Sequence, residues 1–235
     1  MKIQLSNRTS KPHKAIYWIL LGIFISQIST AASLEPVYIS DADIVPLDSG
    51  AIIENAADML RDEILQRTGI LLSVQYGFFD SNRVRIYIGT FDDFNQQHIE
   101  LPQELTVVDK KDAYALWTVP AGQDGLNIYC IGHDERGALF AAGRLLRCLV
   151  MQRDRLILPQ PLRLSTSPVY PLRGHQMGYR AKTHSYDAWD LEMWEQYIRD
   201  MIVFGMNAIE IVPPKTDDHL DSPHFPRPPL EMMAN

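Results

Sequence analysis

"RGHQMGYRAKTHSYDAWDLEMWEQYIRDMIVFGMNAIEIV", residues 173–212, decides how the later part of this chain is read. A strand-like start from Arg173 to Gly178 opens into a loop crowded with aromatic, histidine and basic residues. A helical pattern follows at once. Trp194, Tyr197, Ile198, Met201 and Ile202 fall on one face, with Glu195 and Arg199 on the other, as a 3.6-residue period requires. Gly205 ends it, and "NAIEIV" is a second short apolar run with the composition of a strand. Strand, helix, strand in this span predicts a βαβ unit with two parallel strands, because a crossover helix joins them.

Working outward, residues 33–167 read as an α+β domain, a mixed sheet with two packing helices. "EPVYIS", "ILLSVQY", "RVRIYIGT", "DAYALWTVP" and "GLNIYCIG" are predicted strands, the last two joined by the turn "AGQDG" as a hairpin. A helix is predicted from Gly50 to Thr68, with Ile53, Ala57, Leu60 and Ile64 as its apolar stripe. Glu63 and Arg67 stand four apart on it as a supporting pair, and Gly69 sits where a helix C-cap glycine belongs. "FDDFNQQHIELPQEL" reads as a polar connection with one helical turn. In "GHDERGALFAAGRLLRCLV", Asp134 is placed to cap a second helix. Gly137 and Gly143 each cost that helix about 1 kcal/mol relative to alanine, which predicts the close approach of another backbone. "LILPQPLRLSTSPVYP" supplies a last strand and a proline-rich connection.

Charge and cysteine content narrow the function. The formal net charge is −7, with no basic run beyond the first fourteen residues. Nucleic acid is therefore excluded as a partner, since phosphate binding needs clustered Lys and Arg. Residues 1–32 have the form of a signal peptide: a positive start (Lys2, Arg8, Lys11, Lys14), the apolar "AIYWILLGIFISQIS", and the small residues "STAAS". Cleavage after Ala31 or Ala32 would export the protein to the periplasm or beyond and leave no membrane span. Cys130 and Cys148 are expected to be buried free thiols rather than a disulfide. No nucleotide fingerprint, phosphate loop or Ser-His-Asp order is present, and no cofactor or metal is expected. "TDDHLD" (216–221) has metal-ligating residue types but the spacing of a solvated loop.

The combination carries a resemblance. "GHDERGALFAAGRLLR" resembles the closing helix of the non-catalytic domain that precedes the barrel in family 67 α-glucuronidases and family 20 β-N-acetylhexosaminidases. "YPLRGHQMGYR" and "MWEQYIRDMIVFGMNAIEIV" look like the first strand, helix and second strand of their barrel, with Arg173-Gly174 and Gly205-Met206-Asn207 opening the two strands. The resemblance implies an α+β domain followed, over residues 168–235, by the first βαβ of a (β/α)8 barrel that continues beyond Asn235. It also implies a glycoside hydrolase acting on polysaccharide or oligosaccharide. Its partners would be a carbohydrate substrate and the remainder of the barrel. The alternative is a non-catalytic carbohydrate-binding or structural domain.

In a barrel, ligands meet the loops after the carboxyl ends of the strands. Five residues are candidates there for substrate binding. Tyr179 offers a flat apolar face to a pyranose. Arg180 can hold hydroxyls or a uronic carboxylate. His175 and Gln176 exchange hydrogen bonds. Glu210 is the fifth: alternation sends Ile209 and Ile211 to one face and Ala208, Glu210 and Val212 to the other. A carboxylate buried inside a barrel must be paired or used, so Glu210 is expected either to bind substrate or to hold Arg180 or Arg173. The catalytic carboxylates are expected on later strands.

Overall fold

The computed structural model describes residues 36–77, 83–122, 125–177 and 189–211. The expected signal peptide, Tyr179, Arg180 and the "TDDHLD" stretch lie outside them.

Six strands make the main sheet, in the order β3-β2-β4-β6-β5-β9, with β5 alone running against the other five. They are β2 (Asp43–Pro46), β3 (Ser73–Val74), β4 (Val84–Thr90), β5 (Tyr114–Ala121), β6 (Gly125–Gly132) and β9 (Arg163–Thr166). β2, β3, β4 and β6 run parallel, and β5 turns back against β6 and β9. The expected hairpin is thus present. β2 is a strand that the residue pattern did not signal: "DIVP" has too few residues to display a period. β3 shrinks to two residues within the expected "ILLSVQY".

Helix α1 (Ala51–Thr68) follows β2 and ends at Gly69, whose φ of +80° favours glycine. Ile53, Ala57, Leu60 and Ile64 are buried, as the period requires. Helix α2 (Phe91–Gln96) is the expected single turn. Thr90 and Asp93 close it with a reciprocal capping box. Helix α3 (Glu135–Cys148) begins where Asp134 Oδ1 accepts from the Gly137 N–H at 2.7 Å. α1 and α3 lie side by side on one face of the sheet. There Ile44, Ile86, Ile88, Leu116 and Ile128 meet Leu60, Ile64, Ala141 and Leu145 in one core. Alternation sends Val45, Tyr87, Tyr129 and Ile131 to the opposite face, where Phe94 of α2 and Leu105 cover them. Each such side chain, fully buried, contributes about 1.5–3 kcal/mol.

A small second sheet joins β1 (Val37–Tyr38) to the hairpin β7 (Val150–Gln152) and β8 (Arg155–Leu158). Both cysteines are free; Cys130 is buried, which pushes its thiol up, while Cys148 is only partly buried. Among the described residues no helix is long and apolar enough to cross a membrane.

After β9 come β10 (Gly174–Met177), α4 (Leu191–Val203) and β11 (Ala208–Ile211). β10 and β11 are parallel, in the register Gly174–Ala208 through Met177–Ile211. The predicted βαβ unit is therefore formed. The expected barrel is not formed by the described residues, whose separate parallel pair holds two strands. Both predicted close approaches occur, Gly143 admitting α4 and Gly137 the backbone just ahead of β5. A Cβ on Gly143 would lie 2.9 Å from Val203 Cα, and one on Gly137 would lie 2.2 Å from the Ala113 carbonyl oxygen. Val203 completes the core beneath α1 and α3.

Candidate functional site

The βαβ unit is fastened at the amino-terminal ends of its strands. Asp112 stands just ahead of β5 at a φ of +63°, in the left-handed region that Asp tolerates better than most residues. It is 2% exposed. Its Oδ1 accepts from Arg136 Nε and Nη2 at 2.9 and 2.5 Å. Its Oδ2 accepts from Arg173 Nη2 and Asn207 Nδ2, each at 3.0 Å. Arg173 also donates from Nε to the Gly205 carbonyl at 2.7 Å and from Nη1 to the Tyr170 carbonyl at 3.0 Å. Asn207 Oδ1 accepts the Arg173 N–H at 2.9 Å. The Arg173 guanidinium lies 5.3 Å from the Phe140 ring centre. One carboxylate thus holds both strand openings, Arg173-Gly174 and Gly205-Met206-Asn207, against the base of α3.

A second tie lies along α4. Glu63 of α1 is 1% exposed. It accepts from Arg67 at 2.5 Å and from Gln196 of α4 at 3.0 Å. The expected Glu63–Arg67 pair is formed, with Arg67 exposed and the buried Glu63 also linking α1 to α4.

Burial alone would raise the Asp112 pKa. The hydrogen bonds from Arg173, Arg136 and Asn207 outweigh it and hold the carboxyl below its ordinary value of 3.8. A carboxylate with a lowered folded pKa stabilises the fold at pH above its unfolded pKa, and that contribution is lost as pH falls through the folded value. Thermal midpoints should therefore fall as pH drops below about 4. The Asp112→Asn protein should show a flatter profile there. Parallel profiles for the two proteins would refute the assignment.

The other end of the unit carries the candidate site. Register and alternation put Gln176 and Glu210 side by side on the face of β10 and β11 turned away from α4. Both are exposed. His175 and Ile209 share the opposite face, toward the helix. There a hydrogen bond joins His175 Nδ1 and the Tyr197 hydroxyl, and Ile209 borders an apolar cleft with Ile198 and Met201. Glu210 is exposed, because no described element covers its face, and alternation reports only which way a side chain points. Of the partners offered for it, Arg173 gives its donors to Asp112, Gly205 and Tyr170 instead. Trp189 packs on α4, with its ring centre 5.3 Å from those of Trp194 and Tyr197. Tyr179 and Arg180 lie outside the described residues. Among the described residues no cluster of His, Cys, Asp and Glu is placed to hold a metal ion.

These elements define a mixed α/β domain carrying a docked βαβ unit. No family model matches the chain, and no curated protein matches it in sequence. Solved structures similar to it include a family 20 exo-β-N-acetylglucosaminidase from Vibrio harveyi. That structure is 14% identical with a TM-score of 0.46, over 74% of this chain and 22% of that one. The N-acetyl-β-hexosaminidase of Streptomyces plicatus is 15% identical with a TM-score of 0.48, over 75% of this chain and 31% of that one. A GH138 enzyme targeting pectin rhamnogalacturonan II is 16% identical with a TM-score of 0.43, over 72% of this chain and 18% of that one. The chain thus spans less than a third of the length of each.

Proposed function

We propose that this chain is the amino-terminal portion of an exported glycoside hydrolase acting on polysaccharide or oligosaccharide, its α+β domain joined to the first βαβ unit of a (β/α) barrel. The observation that supports it best is the polarity of the docking. The amino-terminal ends of β10 and β11 are locked to Asp112, while Gln176 and Glu210 are exposed toward the carboxyl ends. Barrels hold their substrates at the carboxyl ends, where loops after the strands supply the contacts. Tyr179 and Arg180 follow β10 in sequence and offer an aromatic face and a bidentate donor suited to sugar hydroxyls or a uronic carboxylate. Glu210 serves as a hydrogen-bonding substrate ligand. The carboxyl pair that glycoside cleavage requires, roughly 5 to 9.5 Å apart, belongs to later strands.

The test compares the chain with the same protein extended to its natural end, on aryl glycosides and glucuronoxylan fragments. The extended protein should turn over at least one of them. Glu210→Gln and Arg180→Ala should each lower its kcat/KM about tenfold or more, the loss of one good substrate contact, with melting unchanged. An extended protein that binds oligosaccharide and cleaves no glycoside would replace this reading with a non-catalytic binding module. Export is checked on the mature protein, which should begin at Ala32 or Ser33. Met1 intact on a membrane-bound form would reject cleavage.

A further inference from the structure

The α+β domain holds a second cleft that shares no residue with the β10–β11 face. β2 and β4 are adjacent and parallel. The chain leaving β2 passes through α1 to β3, on one flank of the sheet. The chain leaving β4 passes through α2 to β5 and β6, on the other flank. α1 lies on one face and α2 on the other. The two connections therefore diverge and open a crevice outside the carboxyl ends of two neighbouring parallel strands. Such a switch point is where open α/β sheets bind ligands. A cavity of about 290 Å³ occupies it, at the small end of the range of roughly 300–1,000 Å³ for ligand pockets.

Its lining is of mixed chemistry. Tyr76, 58% exposed, brings an aromatic ring to the edge. Buried Tyr87 and Ile99 make an apolar floor. Asp48 and Ser49, from the loop after β2, and Gln97, at the end of α2, add a carboxylate, a hydroxyl and an amide. Gln97 Nε2 also donates to the Leu47 carbonyl at 3.4 Å, linking the two sides of the crevice. A flat apolar face with hydrogen-bonding groups of both kinds suits a pyranose ring, whose faces are apolar and whose edge carries hydroxyls. Asp48 disfavours an anion. We infer that this cleft binds one uncharged sugar ring of an oligosaccharide, as a site separate from the β10–β11 face and independent of whether that face catalyses anything.

The test is an NMR titration of the isotope-labelled full chain with cellotetraose, xylotetraose and chitotetraose, and with tetragalacturonate as the charged counterpart. At least one neutral sugar should shift the Ser49, Gly77 and Gln97 amides, with a Kd on the order of 1 mM, as befits a single-ring contact. Tyr76→Ala should raise that Kd about tenfold, the loss of one stacked ring, and Gln97→Ala roughly threefold to tenfold, the loss of one hydrogen bond. Tyr38→Ala, at a tyrosine of similar exposure on β1, should leave it unchanged. Tetragalacturonate should bind about fivefold more weakly or worse, through repulsion by Asp48. These side chains are exposed, and circular dichroism confirms that each variant folds. The inference is overturned if no neutral sugar shifts those amides at about ten times the expected Kd. It is equally overturned if Tyr76→Ala binds as the unaltered chain does, or if the charged sugar binds as well as the neutral ones.

Discussion

The Asp112→Ala protein should melt about 6–12 °C lower than the unaltered chain, a loss of about 3 kcal/mol. Removing one member of a buried ion pair leaves its partners charged and uncompensated, which typically costs about 3–5 kcal/mol. Here the arginines keep partial exposure, with the Arg136 and Arg173 side chains at 36% and 20%, so the lower end applies. The loss should be concentrated in the βαβ unit, because Arg173 and Asn207 both hydrogen-bond to the α+β domain at this carboxylate. Limited proteolysis after residue 168 should accelerate before the rest of the chain unfolds. Arg173→Ala in the Asp112→Ala background should cost less than it does alone, since the shared contact is already gone. Full additivity of the two changes would show that the residues do not act as one network.

Gly137→Ala should destabilise the protein by about 2 kcal/mol, or roughly 4–8 °C in melting temperature. Helix propensity by itself argues the other way, favouring alanine by about 1 kcal/mol. Packing decides the sign. The new Cβ would lie 2.2 Å from the Ala113 carbonyl oxygen and 3.1 Å from Gly132 Cα. Both neighbours are backbone, so neither can swing aside as a side chain would. α3 would have to move off the β5–β6 end of the sheet, disturbing the Asp134 cap and the carboxylate at Asp112 that hydrogen-bonds to Arg136. A higher melting temperature for Gly137→Ala would overturn this account.

Much of this architecture is written in local signals. α1, α3 and α4 follow from a 3.6-residue period together with Asp134, Asp190, Gly69 and Gly205 at their ends. The β5–β6 hairpin follows from two β-rich runs and the turn between them. The parallel pairing of β10 with β11 follows from the helix that separates them. Short strands were less legible. β2 has four residues and β7 three, and β3 pairs through two, so each is set by its neighbours in the sheet rather than by its own pattern.

The chain by itself determined that Arg173 and Asn207 open two parallel strands, that Gly137 and Gly143 admit another backbone, and that Glu210 points away from the helix layer. Each of these is a property of a few neighbouring residues. Tertiary structure alone decided what those residues meet. Asp112 lies 61 positions from Arg173 and 95 from Asn207, and Glu63 lies 133 from Gln196. Nothing in "DKKDAY" marks its last aspartate as the place where the two strand openings converge. Whether Glu210 was buried was likewise not written in its strand. Alternation fixes a direction, but burial depends on which other element covers that face, and that is a property of the assembled fold.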